Sequence, residues 1–108
     1  MGKLEVRIGI NPISWTNDDL PQLGGDTPLE TCLSEGTEIG YVGFELGNKF
    51  PKDPAELKAK LAGYGAVVVS GWYSGNLAEG TLEAEIEGVQ EHMKKLVFNG
   101  CKVMVYGD

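Results

Sequence analysis

The stretch Phe44-Glu45-Leu46-Gly47-Asn48-Lys49-Phe50-Pro51 decides how this chain folds. Tyr41-Val42-Gly43 leads into it, and the apolar run then stops at a carboxylate, an amide and an ammonium. A turn punctuated by Pro51 follows, and Asp53-Pro54 begins a helix. A strand that ends in Glu45, Asn48 and Lys49 and then breaks is how an α/β protein presents reactive groups. In such folds ligands bind beyond the carboxyl ends of the strands.

On the N-terminal side, Leu4 to Ile10 alternates and then turns apolar, which predicts a strand. Pro12 has no N–H for a ladder, so that strand ends near Asn11, and a polar loop carrying Trp15, Asp18 and Asp19 follows. Thr27-Pro28-Leu29-Glu30 reads as a helix start: Thr27 caps, Pro28 takes the first helical position and Glu30 completes a capping box. Leu29, Cys32, Leu33 and Ile39 make a partial apolar stripe that Gly36 weakens, and Gly40 fits a C-terminal cap.

On the C-terminal side, Asp53-Pro54-Ala55-Glu56 repeats the start signal, Leu57, Leu61 and Tyr64 keep helical spacing, and Gly63 and Gly65 end the helix. Ala66 to Ser70 is a β-branched run without alternation, as in a parallel strand buried on both faces, and it breaks at an aromatic loop, Gly71 to Gly75. Thr81 opens a longer helix, with Glu83 and Glu85 at its positive end, Lys94 and Lys95 toward its negative end and Gly100 as terminator. Leu82, Ile86, Val89, Met93, Leu96 and Val97 are its apolar positions. Lys102 to Tyr106 is a fourth strand. The order β-α-β-α-β-α-β predicts an α/β fold with a parallel sheet joined by right-handed crossovers. By itself it fits either an open four-stranded sheet or the front half of an eight-stranded barrel.

The 108 residues suffice for one modest core, and 42% hydrophobic with 23% charged residues describes a folded chain, not a disordered one. A net charge of −7 with no basic stripe argues against nucleic acid. No apolar run of about 18 residues indicates a membrane span, and no secretory signal is visible, so a cytoplasmic protein is expected. Cys32 and Cys101 match no metal or redox spacing and read as buried free thiols. His92 reads as a surface helix residue, since one imidazole alone makes neither a metal site nor a triad. The glycines match no phosphate-cradling pattern.

Four strand-end segments carry a resemblance. They are Ile10 to Asp19, Thr27 to Gly36, Gly43 to Pro51 and Val69 to Gly75. In order and spacing they resemble inosose dehydratase, the 2-keto-myo-inositol dehydratase of bacterial inositol breakdown, in the xylose-isomerase-like barrel superfamily. The resemblance runs almost the whole chain but covers about the first third of the family's usual length. It implies that residues 1–108 form the N-terminal half of a (β/α)8 TIM-barrel domain, incomplete by itself. It further implies a lyase that dehydrates 2-keto-myo-inositol to a cyclic dione with a divalent metal, manganese or cobalt. The superfamily's metal ligands come from later strands, so no metal ligand is assigned in this chain, which alone is expected to lack metal and activity.

Dehydration next to a ketone requires removal of an α-proton, stabilisation of the enolate and protonation of the departing hydroxyl. Glu45 is the acid/base candidate, with an ion pair to Lys49 as its structural alternative. Lys49 is the second catalytic candidate, orienting the ketone or donating to the leaving hydroxyl. Trp15 and Trp72 end the first and third strands, where flat rings can cover the apolar face of a polyol ring, or serve only as core or rim packing. Asn11 and Asn48 can offer amide contacts to hydroxyls, or serve only as turn formers. Asp18 and Asp19 read as a solvated turn, and Ser70 and Ser74 lack a base partner for a nucleophilic role. A small polyol ketone is thus the expected partner. Two other readings stay open: a sugar isomerase or epimerase of the same superfamily, and a non-catalytic half-barrel that pairs with a copy of itself through its open face.

Overall fold

The computed structural model describes residues 5–108. Four strands and three α-helices alternate: β1 (Gly9–Ile10), α1 (Leu29–Ile39), β2 (Gly43–Leu46), α2 (Pro54–Ala62), β3 (Val67–Ser74), α3 (Leu82–Phe98) and β4 (Met104–Gly107). A 3-10 turn, Pro12–Ser14, follows β1. The sheet order is β1-β2-β3-β4 with every pair parallel, the α/β arrangement expected and that of half an eight-stranded barrel. Every strand therefore delivers its carboxyl end to the same rim.

The helices begin and end largely for the reasons the residues suggest. Asp53 caps α2 by accepting the Glu56 N–H at 2.9 Å, and Thr81 caps α3 by accepting that of Ala84 at 3.2 Å. Gly40, Gly65 and Gly100 take positive φ where the chain leaves its helices. The start of α1 departs from expectation. Pro28, not Thr27, stands at the cap and makes no side-chain bond, while Glu30 reaches across to pair with Lys60 on α2. That pair holds the Glu30 carboxyl below its usual range through its hydrogen bond to Lys60.

Two strands also differ from the reading. The first was expected over Leu4 to Ile10; Leu4 lies outside the described residues, and β1 covers only Gly9 and Ile10. As an edge strand it pairs with a β2 of four residues, which limits its ladder. Conversely, β3 does not stop at Ser70. The segment from Gly71 to Ser74 continues the strand because it pairs residue by residue with Met104 to Gly107 of β4.

One apolar layer lies between the sheet and its helices. Phe44, Leu33, Leu57 and Leu61 are essentially fully buried there, each contributing roughly 1.5–3 kcal/mol. Cys32 and Cys101 are buried free thiols, and burial pushes the Cys32 thiol up. Ile39, expected on the α1 stripe, is instead 69% exposed, while Gly36 is buried in the contact. The Phe44 ring presses on α1 there so closely that a Cβ at Gly36 would stand 2.7 Å from its Cζ.

The seating of α3 is uneven. Leu96 reaches the core, and His92 packs against the Tyr73 ring at 5.5 Å, so the histidine is turned toward the sheet and is not the surface residue expected. Ile86, Met93 and Val97 of the expected stripe remain exposed, because among the described residues no element lies beyond β4 to cover them.

Gly36→Ala should lower stability by about 1 kcal/mol or more in urea unfolding, because overpacking against Phe44 outweighs the helix preference for alanine. An unchanged or raised midpoint would show that the ring yields freely. A second expectation concerns pH. Burial holds the His92 imidazole below its ordinary 6.5, so the fold prefers it neutral. Its contribution is complete above the unfolded value and is lost as pH falls through the lower folded one. The urea midpoint should fall between about pH 7.5 and about pH 5, and His92→Phe, which keeps a ring on Tyr73, should flatten part of that slope. Equal slopes in the two proteins would rule the histidine out.

Candidate functional site

The strand ends converge on a cleft of about 780 Å³. Asn11 enters it after β1, Glu45 to Asn48 at the end of β2, Trp72 and Ser74 from β3, and Gly107 and Asp108 from β4. The loop after β1 adds Thr16, Asn17, Asp18 and Asp19 as a side wall. Four carboxylates line the cleft and no lysine or arginine does.

Glu45 is held from both sides. One of its oxygens accepts the Asn11 Nδ2 at 2.6 Å and the other accepts the Ser70 hydroxyl. The pairing of strands makes this possible. Phe44 pairs with Val68, but Glu45 pairs with Ser70, so a bulge at Val69 brings the hydroxyl level with the carboxylate. Asn11 is fixed in turn, because its Oδ1 accepts the Ile13 N–H at 2.9 Å and caps the 3-10 turn. Its amide therefore works first as a brace for Glu45.

The expected Glu45–Lys49 ion pair does not form. Lys49 turns away from the cleft and donates to the carbonyls of Gly24 at 3.0 Å, Gly25 at 3.1 Å and Thr27. An ammonium has three N–H donors, and three carbonyls take them, so the geometry leaves Lys49 none for a substrate ketone or hydroxyl. Asn48 is exposed in the cleft, and its backbone N–H donates to Asp18 Oδ2 at 3.0 Å. Asp18 is exposed in a bend, as expected of a solvated turn, and also braces two loops.

The two tryptophans part company. Trp72 stands 51% exposed in the cleft, its Nε1 donating to Ser74 Oγ at 2.9 Å. The indole lies over Gly107, where any Cβ would collide with its six-membered ring. It offers a fixed aromatic face, from within a strand and not from a loop. Trp15 is placed elsewhere: its Nε1 donates to Glu35 on α1 at 2.7 Å and it is not in the cleft lining. An indole beside a helical carboxylate at the end of its own crossover has a partner close by and swings to it.

Ser70, which lacks a base partner, and Asp18, which reads as a turn, enter the site as braces, and Asp108 lines it. Ser70 carried a signal, being the first hydroxyl after an apolar run that faces the Glu45 strand. Asp108 accepts the Ala78 N–H at 3.0 Å and closes the cleft beside β4. Among the described residues, no three His, Cys, Asp or Glu side chains cluster as metal ligands. Glu45, Asp18 and Asp108 are tied to separate partners, and the residues present do not fit a divalent ion.

No family model matches the chain. Among curated proteins it is 50% identical over 105 residues to a rhizopine catabolism protein, MocC, of Rhizobium meliloti, covering 97% of this chain and 32% of that protein. It is 42% identical over 103 residues to an inosose dehydratase of Mesomycoplasma hyopneumoniae, covering 95% of this chain and 34% of the relative. A third relative, an inosose dehydratase of Geobacillus thermodenitrificans, is 41% identical over 104 residues, covering 96% and 35%. The chain spans about a third of the length of the curated relatives it matches. Across nearly all its residues it is similar to inosose dehydratases and to a rhizopine catabolism protein, in agreement with the resemblance of its four strand-end segments.

Proposed function

We propose that the cleft receives a polyhydroxy cyclohexanone of the inosose class, and that the chain supplies part of the site of a metal-dependent lyase that dehydrates 2-keto-myo-inositol. The observation that carries the reading is the cleft lining itself. Segments similar to inosose dehydratases bring one braced carboxylate, one exposed aromatic face and several amides and hydroxyls to a single rim. Such a lining suits an uncharged polyol, whose hydroxyls need acceptors and donors and whose ring carbons need a flat apolar surface. Four carboxylates without a compensating cation disfavour a phosphorylated or carboxylated ligand by like-charge repulsion.

In this reading Trp72 covers one face of the ring, and Asn48 contacts its hydroxyls, with Asn11 close to Glu45. Glu45 takes the proton from the carbon next to the ketone, and the C–H electron pair passes into the enolate. The hydroxyl on the following carbon then departs with a proton as water, and the enol left behind is the tautomer of a cyclic dione. With Lys49 engaged by carbonyls, the carboxyl of Glu45, protonated in the first step, is the group at hand to return a proton to the leaving hydroxyl. Asn11 and Ser70 keep its two oxygens in a fixed plane throughout. The manganese or cobalt implied by the resemblance would be held by side chains other than those described, and no step above passes through it.

The first test is binding. Titration of 2-keto-myo-inositol into a Trp15→Phe variant, followed by Trp72 emission, should saturate at millimolar concentration, roughly 4 kcal/mol of binding. Trp72→Ala should abolish the response in calorimetry, and an inositol monophosphate should not compete. No saturation up to about 50 mM, less than about 2 kcal/mol of binding, would overturn the reading. The brace makes a separate prediction: Ser70→Ala should cost about 1–2 kcal/mol in urea unfolding by leaving a half-buried Glu45 oxygen without its donor. A loss near zero would mean that water replaces the hydroxyl at no cost.

A further inference from the structure

We propose that Asn48 and Lys49 form a clasp that sets the loop between β1 and α1 as a wall of the cleft, with Lys49 a positioning residue and not a proton donor. The inference goes beyond the polyol reading, because the clasp is present whatever the cleft receives. Two adjacent residues grip the loop near its two ends. The Asn48 N–H holds Asp18 near the start, and the Lys49 ammonium holds the carbonyls of Gly24, Gly25 and Thr27 at the finish.

Asn11 Nδ2 ties the first residue of the loop to Glu45, and Trp15 Nε1 ties its first turn to Glu35 of α1; from Thr16 to Thr27 the clasp supplies the hydrogen bonds to another element. Leu20 and Leu23, the large apolar residues of that stretch, are both exposed, so burial does not anchor it. Its internal order is local: Asn17 Oδ1 accepts the N–H groups of Asp19 and Leu20, Asn17 N–H reaches the Leu23 carbonyl, and Thr27 N–H reaches that of Gly24. These bonds shape the loop but do not tie it to the sheet. Gly24 is what lets its carbonyls converge on one cation. It takes φ +73, and any Cβ there would collide with the Trp15 carbonyl. The cation sits on the first turn after β2, so the loop is registered to the strand that carries Glu45. Asn17, Asp18 and Asp19 face the cleft only while that registration holds.

Hydrogen exchange on the whole chain, without ligand, tests the clasp apart from any substrate. Lys49→Met keeps the apolar stem and removes the charge. The amides of Asn17, Leu23 and Thr27 should then exchange about tenfold faster or more, while those of β3 and α2 hold their rates. Lys49→Arg should restore them to within about threefold, since a guanidinium donates to carbonyls but does not release a proton near neutrality. Loop rates within about twofold of the parent in Lys49→Met would overturn the proposal, as would failure of arginine to restore them. Should Lys49→Met not fold, Asp18→Ala releases the other end: faster exchange at the same amides supports the clasp, and unchanged exchange overturns it.

Discussion

The arrangement depends on one extra residue in the central strand. Between Phe44 and Glu45 the ladder with β3 slips, so that Val69 has no partner and Ser70 stands opposite Glu45. A regular strand alternates its faces, and a single insertion reverses every side chain that follows. Before the slip, Val68 faces the helices with Phe44. After it, Gly71 and Tyr73 face α3, beside Leu96 and His92, and Trp72 faces the cleft. Without the bulge the indole would point toward the helical layer, on the side where Leu96 and His92 pack against this strand. The same residue that aligns a hydroxyl with a carboxylate therefore also places the aromatic wall.

Much of the fold was legible because it rests on local chemistry. Asp53-Pro54 and Thr81 announce helices through caps that need only their own turn, and the alternation of helix and strand leaves few parallel topologies. What was not legible depends on partners distant in sequence. Nothing in Val67 to Ser70 reports a bulge, so the residues alone end the strand there and place Trp72 in a loop. Leu82, Ile86, Met93 and Val97 have the period of a buried face, yet periodicity cannot state whether a neighbour exists to cover it. Thr27 offered good capping chemistry, but Pro28 took the cap position and Lys49 took the Thr27 carbonyl.

The candidate site divides in the same way. That reactive groups gather beyond the strands followed from element order alone. Which of them face each other did not. Glu45, Asn48 and Lys49 lie within five residues, and proximity in sequence suggested that the carboxylate and ammonium would pair. A β-strand followed by a tight turn sends such neighbours in different directions, and each found longer-range partners: Asn11 and Ser70 for one, the glycine carbonyls for the other. The braces of the cleft were the hardest to foresee, since Ser70 and Asp18 are common residues whose roles exist only in the folded arrangement.

The open face of the sheet is paved with glycine. Branches of Val69 spread over Gly9 and Gly43, and the ring of Trp72 over Gly107, each at positions where a β-carbon would intrude. At these positions the sheet is thus backbone covered by side chains of β3, with Glu45 and Leu46 of β2 in the cleft lining beside them. A floor of that kind has no side chain of its own to rotate and no room for one, so the backbone sets how closely Val69 and Trp72 approach the sheet. Substitution at the paving positions can only raise the floor. Any change in the size of molecule accommodated has to come from the walls, and above all from the loop that follows the first strand.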